Sequence, residues 1–380
     1  MVSIHTGTNL LGSITNTGMP LIKMGNIQRG YFDTSKVEFL AENEQPDKAD
    51  IANYGDFFFN TRNTLELVGK GATWMKNSGE YAFNSNIARF ELRNLDTIFF
   101  NYLYNTDYMT KQIHARAMGT TSVAAIYPRT LDSVEYLAPC MKEQQKIGAY
   151  FKQLDHLITL HQRKCEQTKK LKKYMLQKMF PQNGEKVPEI RFDGFTYDWE
   201  QRKVGELLEE RNEQAPMSED YPLMAFIANQ GVTQKGERYD RSALVNDETG
   251  KKYKRTEFGD FIYSSNNLET GSIGLNKYGN ACISPVYSIF KSTGKAELDF
   301  LGRRFLRKDF INEMVKWRQG VVYGQWKIHE TDFMKIEVRI PSVDEQKKIG
   351  LYFDSLDNLI TLHQRQTDFY KKPSFYFISS

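Results

Sequence analysis

Two short polar segments carry side chains that can form paired hydrogen bonds with a planar ligand. The candidates are Asn60, Arg62 and Asn63 after one strand-like run, and Ser265, Asn266 and Asn267 after another. Asn and Arg can each hold a base edge through two hydrogen bonds, and a good pair discriminates between bases by about 1–3 kcal/mol. The same residue types are ordinary turn formers. Base recognition and a plain turn therefore both stay open.

A second set of candidates lies where a helical stretch runs into a glycine-rich turn, once in each half of the chain. These candidates are Arg116, Thr120 and Thr121 in the first half, and Lys316, Arg318, Tyr323 and Gln325 in the second. Between residues 300 and 328, seven Lys or Arg residues stand against two acidic ones. Basic side chains beside the amides of a glycine-rich loop suit phosphate contacts. A solvated basic helix is the alternative, and the charge count does not separate the two.

No segment matches a known catalytic or cofactor-binding motif. The chain has no Gly-x-Gly-x-x-Gly, no P-loop and no Pro-Pro-Tyr motif of a methyltransferase. Asp332 with Glu345 and Lys347 resembles part of a nuclease site, but Glu345 begins a repeated helix whose first copy, from Glu143, lacks the lysine. The three cysteines have no Cys-x-x-Cys spacing. We therefore expect no catalytic residue, no metal site and no cofactor.

Length and charge set the remaining limits. At about 100–200 residues per domain, the 380 residues make two to three domains. The net charge of +4 is too small to indicate binding of nucleic acid. The charge is concentrated, since residues 141–180 hold ten basic and three acidic side chains. No apolar run approaches the ~18 residues of a membrane span, and the first residues lack the features of a signal peptide. We expect a cytoplasmic protein without membrane contact.

A 21-residue segment occurs twice and organises the chain. Residues 143–163 and 345–365 are identical at 16 of 21 positions, 202 residues apart. Their apolar residues alternate steps of four and three, which predicts a coiled-coil seam. Two near-identical seams pair most simply with each other, in antiparallel order with pseudo-two-fold symmetry, and His161 and His363 would form a polar layer in that seam. Two core helices in separate modules are the alternative.

The repeat divides the chain into two diverged modules and two nearly invariant helices. Mixed strand-like and helical runs place the modules in the α+β class. The predicted segments are a first module at 1–142, a first spacer helix at 143–180, a linker at 181–198, a second module at 199–343, a second spacer helix at 344–372 and a divergent tail at 373–380. Pro373 is expected to end the second helix, because proline lacks the amide donor that a helix interior needs.

The repeated segment resembles the conserved region of the specificity subunits of type I restriction-modification systems. The resemblance rests on Glu-Gln-x-Lys-Ile-x-x-Tyr-Phe-x-x-Leu-Asp-x-Leu-Ile-Thr-Leu-His-Gln-Arg, preceded in each copy by a strand-like run that ends in proline. Met179–Pro181 and Trp199–Lys203 are similar to that family's passage into its second target-recognition domain. The resemblance covers essentially the whole chain. It is specific in the helices and weak in the modules.

This resemblance implies a non-catalytic DNA-specificity subunit. It implies two globular target-recognition domains separated by two long conserved helices, each domain reading one half of a bipartite site in double-stranded DNA. Two modification (methyltransferase) subunits, which carry S-adenosylmethionine and methylate adenine, would dock on the helices, and restriction (motor-nuclease) subunits would join them.

Three other functions stay open. They are a stand-alone DNA nuclease or methyltransferase with an unrecognised site, a coiled-coil scaffold that never contacts DNA, and a silent truncated specificity cassette. Two departures from the family pattern raise the last of these. The Trp-Glu-Gln-Arg-Lys opening of the second module is missing before the first, and Gln366–Phe375 does not follow the basic extension Lys164–Lys170 of the first helix.

Overall fold

The computed structural model describes residues 3–120, 122–182, 184–234, 251–320 and 325–379. Its internal contacts divide the chain into two compact units. The first unit comprises residues 1–165 and 361–380, and the second comprises residues 166–360. Each unit mixes helices with small, mainly antiparallel sheets, so the α+β class predicted from the sequence is confirmed.

In the described part of residues 1–178 the chain forms ten short strands and three α-helices, besides 3₁₀ helices at Met24–Asn26, Lys48–Asp50 and Pro128–Ser133. They are β1 (Ser3–Thr6), β2 (Pro20–Ile22), β3 (Glu38–Phe39), β4 (Phe57–Asn60), β5 (Arg62–Asn63), β6 (Gly71–Thr73), β7 (Ala82–Phe83), β8 (Ile87–Glu91), α1 (Thr97–Tyr104), α2 (Asp107–His114), β9 (Met118–Gly119), β10 (Ala124–Ala125) and α3 (Met141–Lys178), among the described residues.

The described part of the chain after residue 178 repeats this mixture. Its elements are β11 (Glu200–Lys203), α4 (Val204–Leu207), β12 (Leu208–Glu210), β13 (Gln214–Ala215), β14 (Ala225–Ile227), β15 (Gly231–Thr233), β16 (Tyr253–Thr256), β17 (Phe261–Tyr263), β18 (Ile273–Leu275), β19 (Ala281–Ile283), β20 (Ser288–Ser292), α5 (Leu298–Phe305), α6 (Lys308–Lys316), β21 (Gln319–Gly320), β22 (Trp326–Lys327), α7 (Glu330–Phe333), β23 (Glu337–Ile340) and α8 (Val343–Ser379).

A four-stranded antiparallel sheet lies at the centre of each unit, with strand order β1-β8-β4-β6 in the first and β12-β20-β17-β18 in the second. The middle strands β4 and β17 are buried on both faces, because their side chains alternate between two hydrophobic clusters. Phe57 and Phe59 face one cluster and Phe58 the other. This two-sided burial explains why both strands read as continuous apolar runs instead of alternating ones.

The repeated helices dock on their modules through the same contacts in both units. In the first unit, the buried Gln144 accepts a hydrogen bond from the Asp96 amide (2.9 Å) and donates one to the Pro139 carbonyl (2.8 Å). In the second, Gln346 does the same with Glu297 (2.9 Å) and Pro341 (2.8 Å). Asp96 and Glu297 are the N-caps of α1 and α5, so each glutamine fixes the start of a module helix.

A repeated glycine four residues after each glutamine permits this close docking. A Cβ at Gly148 would lie 2.9 Å from the Phe99 amide nitrogen, and one at Gly350 would lie 3.0 Å from a carboxylate oxygen of Glu297. A side chain at either position would press the spacer helix away from the module helix on which it docks, α1 or α5. The repeated Glu-Gln-x-Lys-Ile-Gly motif is therefore a docking motif.

The two long helices meet along the predicted seam. Within the second unit, Lys172 forms an ion pair with Asp357, and the rings of Phe180 and Phe353 lie 6.2 Å apart. Residue numbers rise along α3 as those of their partners fall along α8, so the two helices run antiparallel. Within the first unit, the Nδ1 atoms of His161 and His363 lie 3.1 Å apart. These histidines occupy equivalent positions of the two repeats, as expected where a pseudo-two-fold axis crosses an antiparallel pair.

The helix bounds differ from the prediction by one or two residues at three ends and by seven residues at the C-terminal end of α8. Helix α3 begins and ends two residues earlier than predicted, whereas α8 continues to Ser379 instead of ending before Pro373. An interior proline removes one amide donor and its ring crowds the carbonyl four residues earlier, which can kink a helix without ending it. Among the described residues, no helix is both long and apolar enough to cross a membrane.

Candidate nucleic-acid interface

In the first unit, the fold joins the polar segment to the glycine-rich turn. Strand β5 pairs with β10, and β10 pairs with β9, so these elements form one three-stranded sheet. The Ile126 amide also donates to the Thr61 carbonyl at 2.9 Å. Two candidate segments more than fifty residues apart in sequence therefore lie on one small surface.

Three predicted residues remain accessible on this first surface. Arg62 is exposed, and Asn63 is half-buried, with its side-chain oxygen accepting from the Thr64 amide at 2.8 Å. Thr120 is exposed at the turn, where its hydroxyl accepts from the Val123 amide at 3.3 Å. These side chains keep donors or acceptors that a ligand can use. The neighbouring candidate Thr121 lies outside the described residues.

Asn60 and Arg116, by contrast, are engaged inside the first module. Asn60 is fully buried and donates to the Leu67 carbonyl at 3.0 Å, so its amide shapes the loop and is not accessible to a ligand. Arg116 donates to the carbonyls of Gln112 (2.7 Å), Thr130 (3.1 Å) and Ser133 (2.6 Å). The guanidinium fastens the end of α2 to the 3₁₀ helix Pro128–Ser133. Both residues therefore support the surface without forming it.

The second unit brings the equivalent segments together through side chains. The Ser265 hydroxyl accepts from the Ile328 amide at 3.0 Å, and the Asn266 side-chain oxygen accepts from the Trp326 amide at 2.6 Å. Strands β21 and β22 form the hairpin that these bonds hold. Ser265 is buried, whereas Asn266, Asn267 and Gln325 are exposed beside the hairpin. Tyr323 lies outside the described residues.

The basic residues of the second surface are paired with carboxylates. Arg318, 11% exposed, donates to both carboxylate oxygens of Glu269 at 2.8 and 2.7 Å. Hydrogen bonds from Arg318 are the main cause that lowers the pKa of Glu269. Lys316 forms an ion pair with Glu313. Arg318 is therefore not a free cation, because its guanidinium holds the loop of Glu269 against the hairpin. A DNA contact by Arg318 or Lys316 stays a prediction.

Sequence reasoning missed two residues of this surface. Glu269 was not considered, because nothing in its local sequence distinguishes it from other exposed carboxylates. Trp326 is 49% exposed on β22, and its backbone amide donates to the Asn266 side chain. Its position directly after a glycine-rich turn is the signal that could have identified it.

The described residues contain no group of His, Cys, Asp and Glu side chains arranged to hold a metal ion. The nuclease-like residues also serve structural roles. Glu345 is buried and forms a bidentate ion pair with Arg191, at 2.8 and 2.7 Å. Asp332 pairs with Lys335 at 2.8 Å.

The pairing of one diverged module with one spacer helix also has a counterpart among known sequences. The family model of the type I restriction modification DNA specificity domain matches the chain twice, over residues 11–170 and 197–368. The chain belongs to this family. Each match spans one module and most of one spacer helix, so the internal repeat is a duplication of the type I specificity domain.

A curated relative and a solved structure agree with this assignment. A protein of Methanocaldococcus jannaschii, named as the specificity subunit of the type I restriction enzyme MjaX, is 22% identical over 385 residues, which cover 96% of this chain and 86% of that protein. The crystal structure of a type I restriction-modification S subunit from M. genitalium matches with a TM-score of 0.58 at 14% identity. That match covers 99% of this chain and 92% of the other, and it shows a common fold.

As a type I specificity protein, the chain is a DNA-recognition component that assembles with other subunits of a restriction-modification system. The resemblance derived from the repeated helix is therefore confirmed, and a stand-alone enzyme is not favoured.

Proposed function

We propose that each module of this type I specificity protein reads one half of a bipartite site in double-stranded DNA. One observation carries the proposal. In both modules, a polar loop after the central strand and a glycine-rich hairpin, each singled out separately in the sequence, are joined by hydrogen bonds into one exposed surface. A loop and a hairpin held together in this way can present amides and basic groups to a groove of the duplex.

The accessible residues divide by chemistry. Side chains that can form two hydrogen bonds with one base edge are suited to reading bases. They are Arg62, Asn63, Asn266, Asn267 and Gln325. Thr120 and Lys316 are suited to phosphate oxygens. Arg116, Arg318, Asn60 and Ser265 act as positioning residues that hold the loops. Thr121 and Tyr323 remain predictions.

The chain itself performs no catalysis in this proposal, and the spacer helices scaffold two methyltransferase subunits, with restriction subunits joining the complex. Several large apolar side chains on α3 and α8 support a docking role, because they are exposed to solvent in the described structure. They are Tyr150, Leu171, Tyr174, Leu351, Leu359 and Leu362. Contiguous patches of exposed apolar side chains can mark contact sites for partner proteins.

The experiment is to co-express the chain with a methyltransferase subunit of its system and to map methylated adenines across host DNA by single-molecule sequencing. We expect a split motif with a fixed spacer. Arg62→Ala should relax one half-site and Asn266→Ala the other, by about tenfold or more per base contact, because a lost pair costs about 1–3 kcal/mol. Arg93→Ala is the matched control, since Arg93 is exposed outside both surfaces.

Three outcomes would contradict the proposal. Methylation or cleavage by the purified chain without partners would favour an enzyme. Unchanged DNA affinity and an unchanged motif in the Arg62→Ala, Asn266→Ala double variant would favour a scaffold. A stable complex that methylates no DNA would favour a silent cassette.

A further inference from the structure

Two basic residues at one edge of the first module have no carboxylate partner among the described residues. Arg29 lies in the loop between β2 and β3, and Lys70 lies directly before β6. Both side chains are half-buried, and the ion pairs of the described structure include neither of them. Burial withdraws a cation from water, and a nearby negative charge normally offsets that cost. These two cations, here called the edge cations, therefore lack a counter-charge.

Neutral groups hold both edge cations in place. The Arg29 guanidinium donates to the His114 ring at 3.1 Å and to the Thr110 hydroxyl at 3.4 Å. Burial and the positive charge of Arg29 lower the pKa of His114, so this ring is neutral at pH 7 and accepts through Nε2. The Lys70 ammonium donates to the Gln28 side-chain oxygen at 2.9 Å. A guanidinium has five N–H donors and an ammonium has three, so both cations keep donors for an anion.

Backbone hydrogen bonds hold the two edge cations close together. The Gly30 amide donates to the Gly71 carbonyl at 3.0 Å, so the residue after Arg29 is bonded to the residue after Lys70. The side chain of Asn105 donates to the same Gly71 carbonyl, also at 3.0 Å. The two cations therefore project from adjoining backbone segments, and a polyanion can contact both.

The edge cations adjoin the surface proposed for base recognition. The Lys70 carbonyl accepts from the Asn60 amide at 2.9 Å, and Asn60 stands two residues before Arg62. His114, which orients Arg29, is the last residue of α2 and stands four residues before β9. Contacts to phosphate position a protein on a duplex, while neighbouring side chains read base edges. The edge cations are thus attached to the same segments that carry the polar loop and the hairpin.

The second module differs at this edge. Ser272 takes the position of Lys70, because its carbonyl accepts from the Ser264 amide at 2.8 Å in the equivalent strand pairing. Ser272 is buried and uncharged. Arg318, on the recognition surface of the second module, is already neutralised by Glu269. The positive charge at the position of Lys70 is therefore specific to the first module.

We infer that Arg29 and Lys70 form a phosphate-binding site that contacts the DNA backbone next to the half-site read by the first module. The inference rests on the proposed function and adds to it the place where the first module contacts the backbone. The planar guanidinium suits two oxygens of one phosphate, and the ammonium acts as a point charge on the same phosphate or the next. Base recognition stays with the polar loop and the hairpin.

The test measures DNA affinity of the complex between the full chain and its methyltransferase subunits, by fluorescence anisotropy of a duplex that carries the methylated motif. Each phosphate contact releases counterions, so the logarithm of the affinity falls against the logarithm of the salt concentration with a slope of about −0.9 per contact. Arg29→Gln and Lys70→Gln should each weaken binding about fivefold or more and make this slope shallower by about one. The methylated motif should stay unchanged, because neither residue reads a base.

Lys48→Gln is the matched control. Lys48 is exposed in the 3₁₀ helix that ends before Ile51, and the Ile51 carbonyl accepts from Arg89 at 3.2 Å. Arg89 also pairs with Asp56, directly before β4, whereas Lys70 lies beside the other end of this strand. The control removes the same charge from the same unit and should leave affinity and slope unchanged. Equal losses in all three variants would overturn the inference in favour of a general effect of net charge.

A second measurement changes the DNA, so it does not depend on how well a variant folds. Single phosphates along the duplex are replaced in turn by a neutral methylphosphonate. Beside the half-site that Arg62→Ala identifies, we expect one position at which this replacement weakens binding by the wild-type complex but adds no loss to Arg29→Gln. If every replacement that weakens wild-type binding also adds to the loss in Arg29→Gln, the inference is overturned.

The remaining outcomes separate the inference from the proposed function. Unchanged affinity and slope in Arg29→Gln and Lys70→Gln, with the motif still read, would overturn the phosphate site and leave the proposed function intact. A wild-type complex that binds DNA without any sequence preference would contradict the proposed function and the phosphate site together.

Discussion

The two surfaces at which the spacer helices dock are nearly the same, whereas the two surfaces proposed for DNA are different. At the docking surfaces, a glutamine and a glycine make equivalent contacts with an N-cap in both units. At the recognition surfaces, Arg62 and Asn63 stand where the second module has Asn266 and Asn267. The residues that are repeated thus make contacts inside the fold, whereas the residues that differ between the two modules face outward.

One docking residue departs from this equivalence, and it provides the largest predicted effect. Glu345→Ala should destabilise the second unit by about 3–5 kcal/mol, because it leaves the guanidinium of Arg191 without its partner in a largely buried site. Glu143→Ala should change stability by no more than about 0.5 kcal/mol, because Glu143 is exposed. Urea unfolding of both variants measures the difference. Equal destabilisation would show that the two helix starts are equivalent after all.

The buried glutamines should behave alike. Gln144→Ala and Gln346→Ala each remove a donor and an acceptor from buried backbone groups, and each should cost about 2–3 kcal/mol. Hydrogen exchange at the amides of Asp96 and Glu297 gives a local measurement, and faster exchange is expected only in the unit that carries the substitution. Protection that is lost in both units, or in neither, would contradict independent docking.

Substitution of the two glycines should reduce stability by different amounts. Gly148→Ala places a methyl group 2.9 Å from a backbone nitrogen, whereas Gly350→Ala places one 3.0 Å from the end of a glutamate side chain. A backbone atom yields less readily than a side-chain end. We expect about 1–3 kcal/mol for Gly148→Ala and less for Gly350→Ala. Thermal unfolding of the two variants ranks them, and the reverse order would be inconsistent with the docking geometry.

The smallest predicted effect concerns the histidine pair. Burial, together with the positive charge of protonated His363 and of Lys164, lowers the pKa of His161 below its ordinary 6.5. The unfolded chain then binds a proton at a higher pH than the folded chain, so stability decreases as the pH falls below about 6.5. In His161→Gln this pH dependence should be shallower. Urea midpoints between pH 7 and pH 5 measure it, and parallel curves would exclude a role for His161.

Parts of this structure could be predicted from residue spacing. The steps of four and three place His161 opposite its counterpart, and the buried strands follow from runs such as Phe57–Phe59. Residue type did not indicate which of the candidate site residues are engaged inside the fold. Asn60 and Arg318 have the right chemistry for a ligand, but Asn60 is buried and Arg318 is held by Glu269. Such outcomes depend on partners distant in sequence, which residue type and local spacing do not specify.

The sequence by itself determined the duplication, the helical seam and the family, because periodicity and repetition are properties of the order of residues. The tertiary structure decided which side chains remain available. It joined each polar loop to its hairpin and explained the repeated Gln and Gly as docking residues. These features depend on burial and on hydrogen bonds between distant segments, and only a folded chain brings those segments together.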